Sequence, residues 1–292
     1  MIRSMFSAVS GLLNNQQRMD VIGNNIANVN TVGFKVSDAT FAESQLQSER
    51  SATADQPIGL AVGLGSRLVG TTTSFTQGAF QRTDVPSDLA INGEGFYSVG
   101  TTTAAGGNEF LTRAGNFVID SSGYFRTPDG LYLKGQMGTG TTANITAAVA
   151  AGAAGTAGTF PTTAVFVPQQ IGGVGVANYS VGLDGVISAV DTAGATLDVG
   201  RILLSHFRNE NGLRREGNNL YTNSNAAGHI AADPPNSAFL ATSIQSGALE
   251  MSNVDMADQF SHMIITQRGF DANARTISTS DEMLQTVMNL KR

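Results

Sequence analysis

Met256, Met263, Phe270, Ile277 and Leu284 stand seven residues apart along the C-terminal segment. Phe260, Ala274 and Met288 each follow a member of that row by four. This alternation lines up as a stripe on an α-helix and predicts a coiled-coil seam about thirty residues long. Gln267 and Asp281 interrupt it. Polar residues in a seam cost stability and fix register, which favours a specific partner. The N-terminal segment carries a weaker version: Met5, Leu12, Met19 and Ile26 are seven apart, with Val9, Ile22 and Val29 on neighbouring rows. The chain therefore opens and closes with amphipathic helices.

The first helix is predicted over Ser4 to Asn28, with Ser4 as its cap and Asn30 and Gly33 as stop signals. Ser252 or Asn253 is expected to cap the last helix. By propensity the first helix is weak, because Gly23 and a run of amides (Asn14, Asn15, Gln16, Gln17, Asn24, Asn25, Asn28, Asn30) are poor helix formers. Most amphipathic helices pack within their own molecule, here on each other or on the middle domain. The alternative is that these ends pair with other copies of the chain, the amides bonding to neighbours or to a water-filled lumen. Sparse charge on the same helix suits that alternative, since interface cores are depleted in charge.

Between the helices the rhythm is that of strands and turns. Residues 43–58 are polar and read as a loop. Asn92-Gly93, Asp120 to Gly123, Pro128-Asp129-Gly130 and Asp184-Gly185 are tight-turn signals between short apolar runs, which predicts hairpins. No charged residue occurs from Gly135 to Leu183, and the low-complexity centre, "TTANITAAVAAGAAGTAGT" (141–159), reads as a flexible or loosely packed part of an insertion at about 136–175. The expected fold class is α+β: N- and C-terminal helices forming an inner coiled-coil domain around a β-rich outer domain. The expected boundaries are 1–33 for the first helix, 34–75 for a connecting segment, 76–245 for the β-rich domain and 246–292 for the last helix.

Composition narrows the function. Only 14% of the 292 residues are charged, against about 25% in ordinary soluble chains. Lysine occurs at positions 35, 134 and 291, and the net charge is −6, so a nucleic-acid or anionic-membrane partner is not expected. Without cysteine there are no disulfides or thiolate metal sites. No apolar run has the length of a secretory signal or reaches the roughly 18 residues of a membrane span. Catalytic motifs are missing too: no phosphate-binding loop, no nucleophile elbow. The glycines at 59, 63, 65 and 70 lack the lysine and helix a phosphate cradle needs. His206, His229 and His262 are scattered, His262 being placed on the wet face of the last helix. Asp84, Asp88 and Glu94 lie close enough in sequence to be candidates for a glycosidase-style carboxylate pair, but Asp88 precedes a strand and Glu94 sits in a turn, which favours structural roles; Arg214-Arg215 reads as a solvated turn. No cofactor, metal or enzymatic activity is expected. A secreted β-rich binding protein or adhesin would account for the Thr and Gly content but not for two terminal heptad helices.

Longer stretches carry a resemblance. "SMFSAVSGL", "MDVIGNNIANVNTVGFK", "FTQGAFQRTDVPSDLAINGEGFY", "LTRAGNFVIDSSGY", "GNNLY" and "QRGFDANARTISTSDEMLQTVMNLKR" are similar, in the same order, to stretches of the bacterial flagellar axial proteins, the rod and hook subunits. The likeness spans nearly the whole chain outside about 136–175. Within that family "RSMFSAVSGL" and the C-terminal stretch most resemble hook subunits, the distal rod subunits being the close alternative. The chain is short for a hook subunit, which usually carries an extra outer domain.

The resemblance implies a structural subunit that polymerises into the hook, the flexible joint between rod and filament, or into the basal-body rod. It implies partners: copies of itself in a helical tube, rod and hook–filament junction proteins, the hook cap during assembly, and the flagellar type III export apparatus. The subunit-interface residues would be Met5, Leu12, Met19, Ile22, Ile26, Val29, Met256, Phe260, Met263, Phe270, Ile277, Leu284 and Met288. Export would also explain the weak first helix, which can stay disordered in the monomer and order on assembly.

Overall fold

In the computed structural model, residues 2–44, 46–50, 60–103, 108–137, 163–171, 174–192, 194–235 and 242–290 are described. Most of the segment 43–58 and the low-complexity centre at 138–162 lie outside these residues. The chain divides into two compact units, one formed by Met1–Val29, Lys35–Ser74 and Val254–Arg292, the other by Asn30–Phe34 and Phe75–Asn253.

The first unit holds the two long helices, α1 (Ile2–Ala27) and α2 (Met256–Leu290), packed together. α1 begins before Ser4, so Ser4 lies inside its first turn and does not cap it. α2 is capped by Asp255, whose Oδ1 accepts the Ala257 N–H at 2.8 Å and the Asp258 N–H at 3.4 Å. A carboxylate there also meets the positive end of the helix dipole. Asn253, the expected cap, instead donates to the Thr76 carbonyl and hydroxyl within the second unit. The helical stretch read from 246 onward opens with a strand, Ala248–Glu250, paired with Phe80–Arg82.

Residues 34–75, read as a connecting segment, contain an antiparallel ribbon, Ser37–Glu43 against Ser66–Thr73. Leu46–Arg50 is also a strand, paired with Leu60–Gly63, where the polar composition reads as a loop. Cross-strand backbone pairing outweighs the low apolar content there. A two-stranded ribbon is marginal alone, and this one is fastened to α1. Asn14 Nδ2 donates to Ser66 Oγ at 2.6 Å, and the Ser66 N–H reaches Ser10 Oγ at 3.4 Å.

The second unit is β-rich, as its turn spacing predicts. Three predicted turns close hairpins. Gly123 and Gly130, both at φ +85°, close the turns on either side of Phe125–Arg126. Asp184-Gly185 joins Val174–Val181 to Val186–Asp191. Asn92-Gly93 does turn the chain, but its flanking strands pair elsewhere: Leu89–Asn92 with Ser243–Ser246, and Phe96–Gly100 with Glu109–Thr112 and Tyr132–Met137. Phe96–Gly100 is buried along its whole length because both of its faces are covered. Side chains alternate across a strand, so Tyr97 and Val99 enter the main core with Leu89, Phe117, Leu133 and Ile202. Phe96 enters an aromatic cluster with Phe75, Phe207 and Tyr221.

The centre read as loosely packed, 141–159, lies outside the described residues, while 163–171, at the C-terminal side of the insertion, is packed into the core. Val165 is fully buried and exchanges backbone bonds with Leu133 and Phe125, and Val167 bonds to Gly123. Apolar alternation at 165 and 167 ends the low-complexity stretch and puts this part into the core.

The same unit contains the Arg113–Glu250 pair, 3.4 Å apart and essentially without solvent contact. Glu250 Oε1 also accepts the Gly78 N–H at 3.0 Å, and its carbonyl accepts the Gly33 N–H at 2.8 Å. Gly33 has φ +67°, and a Cβ there would lie 2.6 Å from the Ala114 nitrogen, so only glycine suits the position. Arg215 covers the Phe34 ring at 5.3 Å, and Asn219 Nδ2 holds the Val32 carbonyl at 2.9 Å. Residues 30–34 are thus bound into the β-rich unit at several points.

Candidate assembly surface

The two helices run antiparallel, and their contact is polar. Gly11, Arg18 and Asn25 stand seven apart on α1; Gln259, Thr266, Asn273 and Ser280 stand seven apart on α2. Asn25 Nδ2 donates to Gln259 Oε1 at 3.1 Å. Arg18 Nη2 lies 3.4 Å from His262 Nδ1. A Cβ on Gly11 would come within 2.6 Å of the Asn273 amide, and one on Gly269 within 3.2 Å of the Asn15 amide. The glycines let the helices approach closely at those two levels. Asn25 is 1% exposed and Gln259 4%, and Thr266 and Ser280 are also buried; Ala8 and Ile22 are the buried apolar side chains of α1.

Asn25 does more than bridge the helices. Its Nδ2 donates to the Ser37 carbonyl at 2.8 Å, and its Oδ1 accepts the Ser37 N–H at 3.1 Å. One carboxamide thereby stands in for a peptide against the first residue of the ribbon. The sequence suggests that the amides of α1 face neighbouring chains or a lumen. For Asn14 and Asn25 the partners are inside the molecule, and for the buried Asn25 they have to be, because a buried amide must be satisfied where it is buried. Gln16, Gln17, Asn24 and Asn30 are exposed. His262 sits against Arg18 and 3.4 Å from Asp258, half-buried at the helix contact and not on a wet face.

With polar residues inside, the apolar rows lie at the margin of the contact or outside it. Of the residues assigned to the interface from the sequence, Ile22 is buried, and Met5, Leu12, Met19, Ile26, Val29, Met263, Ile277 and Leu284 are half-buried. Met256, Phe260, Phe270 and Met288 are exposed. The heptad rows pass over Phe6, Leu13, Ile264, Ile265, Met283, Val287 and Leu290, all exposed. A signal for them exists: Phe6 and Leu13 are seven apart, as are Met283 and Leu290, one or two places off the heptad rows. So much outward apolar surface on one helix pair is more than a monomeric surface usually exposes.

Nothing in the described residues resembles a reaction centre. No group of three or more His, Asp or Glu there could hold a metal ion. Two clefts in the β-rich unit, of about 320 and 340 Å³, each present a single carboxylate, Asp129 or Asp120, among Thr, Asn, Ser and apolar side chains. Asp84 pairs with Arg82, Glu94 lies 3.9 Å from His206, and Arg214 pairs with Glu216, all in structural settings. Among the described residues no helix is long and apolar enough to cross a membrane.

A polar-seamed helix pair with apolar flanks, in a chain that also carries a β-rich unit, is an arrangement suited to a subunit of a larger assembly. Comparison with known proteins gives the class its place. Residues 5–35 match the family described as flagella basal body rod protein, 90–189 the flagellar hook protein FlgE/F/G D1 domain, and 245–290 the flagellar basal body rod FlgEFG protein C-terminal region. The chain is 40% identical over 298 residues to the flagellar basal-body rod protein FlgG of Bacillus subtilis, covering all of both chains. It is 32% identical over 299 residues to FlgG of Borreliella burgdorferi, again covering both fully. The flagellar hook protein FlgE of the same Borreliella is 28% identical over 446 residues, with both chains covered. The chain belongs to the flagellar rod and hook FlgE/F/G family, a family of non-enzymatic structural proteins of the bacterial flagellum.

Proposed function

We propose that this chain is a subunit of the distal rod of the flagellar basal body, and not of the hook that the terminal sequences most resemble. The observation that carries this is length in register. The rod alignments run 298 and 299 residues against a chain of 292, while the hook alignment needs 446. With full coverage on both sides, more than a hundred hook positions have no counterpart here. Identity points the same way, 40% and 32% against 28%.

In this reading the subunit polymerises with copies of itself and with neighbouring axial proteins into an open-ended helical tube, the product of an interface that does not close on itself. Export would run through the flagellar type III apparatus. The residues assigned from the sequence, Met5 to Val29 and Met256 to Met288, remain the candidates for subunit contact, and their partial exposure beside a polar seam supports that. The hook cap and the hook–filament junction proteins would be partners only of a hook subunit. Immunogold labelling of purified hook–basal bodies with a tagged chain tests the assignment. Gold along the rod beneath the hook is expected; gold along the hook would overturn it.

A further inference from the structure

Asn92-Gly93 is a hairpin dipeptide that closes no hairpin. The tight turn that Asn-Gly favours needs positive φ at both positions. Gly93 has φ +117°, but Asn92 is not among the positive-φ residues and ends the strand Leu89–Asn92 with extended backbone. Leu89, Ala90 and Ile91 are fully buried, while Asn92 is exposed and Gly93 half-buried. The Gly247 N–H bonds to the Asp88 carbonyl at 2.8 Å. Bonded pairs recur at every second residue of an antiparallel ladder, so Ala90–Gln245 and Asn92–Ser243 are the next two. Asn92 thus makes the last rung, with its carbonyl turned to Ser243. Across a trans peptide the following N–H points the opposite way, so the Gly93 nitrogen faces away from the ladder. The Asn92 carboxamide is loosely held: its Nδ2 lies 3.5 Å from Ser243 Oγ, at the limit of a hydrogen bond.

We propose that Asn92 is a modification site, where the side-chain amide is lost through a succinimide closed by Gly93. Glycine brings no Cβ to crowd the attack. Its nitrogen gives its proton to water and bonds to Asn92 Cγ. The Cγ–Nδ2 bond breaks, and Nδ2 leaves as ammonia. Water then opens the ring. Opening at Cγ yields aspartate; opening at the main-chain carbonyl yields isoaspartate, with the backbone routed through Cγ and one methylene longer. In sum, water replaces ammonia. Ring closure takes Asn92 out of its extended conformation, which costs the terminal rung and none of the buried residues, and strand ends open at the low end of the stability range. A second Asn-Gly supplies the contrast. Asn211 is exposed too, but the Gly212 N–H is bonded to the Asn209 carbonyl at 3.1 Å, and a Cβ on Gly212 would lie 2.6 Å from the Ala226 and Ala227 backbone. There the attacking nitrogen is engaged inside a closely packed turn. The inference does not depend on the rod assignment.

Peptide mapping of the purified full-length chain, held at mildly alkaline pH with and without urea, tests this. Trypsin places Asn92 in peptide 83–113 and Asn211 in peptide 209–214, so fragment ions follow each separately. In the native chain Asn92 is expected to convert to isoaspartate and aspartate while Asn211 stays intact. In urea both are expected to convert, because the protection of Asn211 comes from the fold. An Asn92 that stays intact in the native chain, or an Asn211 that converts ahead of it, would overturn the proposal. Aspartate at 92 without isoaspartate would overturn the cyclic step, since direct hydrolysis gives aspartate alone. Asn92→Gln, whose longer side chain closes such a ring poorly, should leave peptide 83–113 unmodified in the native chain. Conversion of that peptide at an undiminished rate would place the reaction at another residue and contradict the assignment.

Discussion

Asn25 on α1 donates to Gln259 on α2 across 3.1 Å, at a level where both side chains are buried. The same carboxamide holds both backbone groups of Ser37. Three separate segments thus share one amide. Asn25→Ala leaves the Gln259 carbonyl, the Ser37 N–H and the Ser37 carbonyl without this partner, a loss of about 1–3 kcal/mol for each group left unsatisfied. Hydrogen exchange in assembled rods should speed up together at Ser37–Glu43 and at the first turns of α2. Faster exchange in α2 alone would mean that the ribbon is held by other contacts.

Phe270→Asp or Ile277→Asp should block assembly while leaving the β-rich unit folded. Phe270 is exposed and Ile277 half-buried in the single chain, so neither aspartate is unpaired in a core until a second copy covers it. Covering one uncompensated charge costs several kcal/mol. Motility should be lost while near-ultraviolet circular dichroism of the purified chain is retained. Normal rods from either variant would refute the interface assignment.

Arg113 and Glu250 form a buried pair, so breaking it should cost more than removing it. Arg113→Met strands the Glu250 carboxylate, for which about 3–5 kcal/mol is expected. Arg113→Met combined with Glu250→Leu should recover part of that, though the Gly78 N–H then loses its acceptor. Urea unfolding of the full chain and both variants measures this. A double variant less stable than the single one would show that the carboxylate matters chiefly to Gly78.

Stability should fall in alkali. Burial holds the Tyr97 hydroxyl protonated well above its ordinary 10.0, with Arg113 drawing the value down and Glu250 raising it. Tyr221 is raised chiefly by burial as well. Above pH 10 the unfolded chain loses these protons and the folded chain keeps them. The folded state then binds more protons, so its advantage is complete below pH 10 and is lost as pH rises further. The urea midpoint should drop between about pH 9 and about pH 11, and Tyr97→Phe should flatten the drop. An unchanged midpoint would contradict the burial argument.

The helices are legible because heptad spacing survives any partner: α1 and α2 fall where Met5 to Ile26 and Met256 to Leu284 place them. Glycine turns are legible for the same local reason, at Gly123, Gly130 and Gly185. What heptads do not tell is which row faces which neighbour. Reading the apolar row as the seam follows from burial in water, yet Asn25, Gln259, Thr266 and Asn273 occupy the contact within the chain. The opposite helix comes from distant sequence, and Ser37, twelve residues after Asn25, is met through a backbone contact that no residue pattern marks. The ribbon at 37–73 escapes a sequence reading because pairing of backbone, rather than apolar alternation, defines it. Hook and rod differ in what the middle of the chain lacks, which terminal motifs do not register.

The central claim, a rod subunit, is tested most directly by electron microscopy of basal bodies from a strain lacking this gene. Rods that stop short, with no hook, are predicted. Complete rods lacking only the hook would contradict the account and return the chain to the hook.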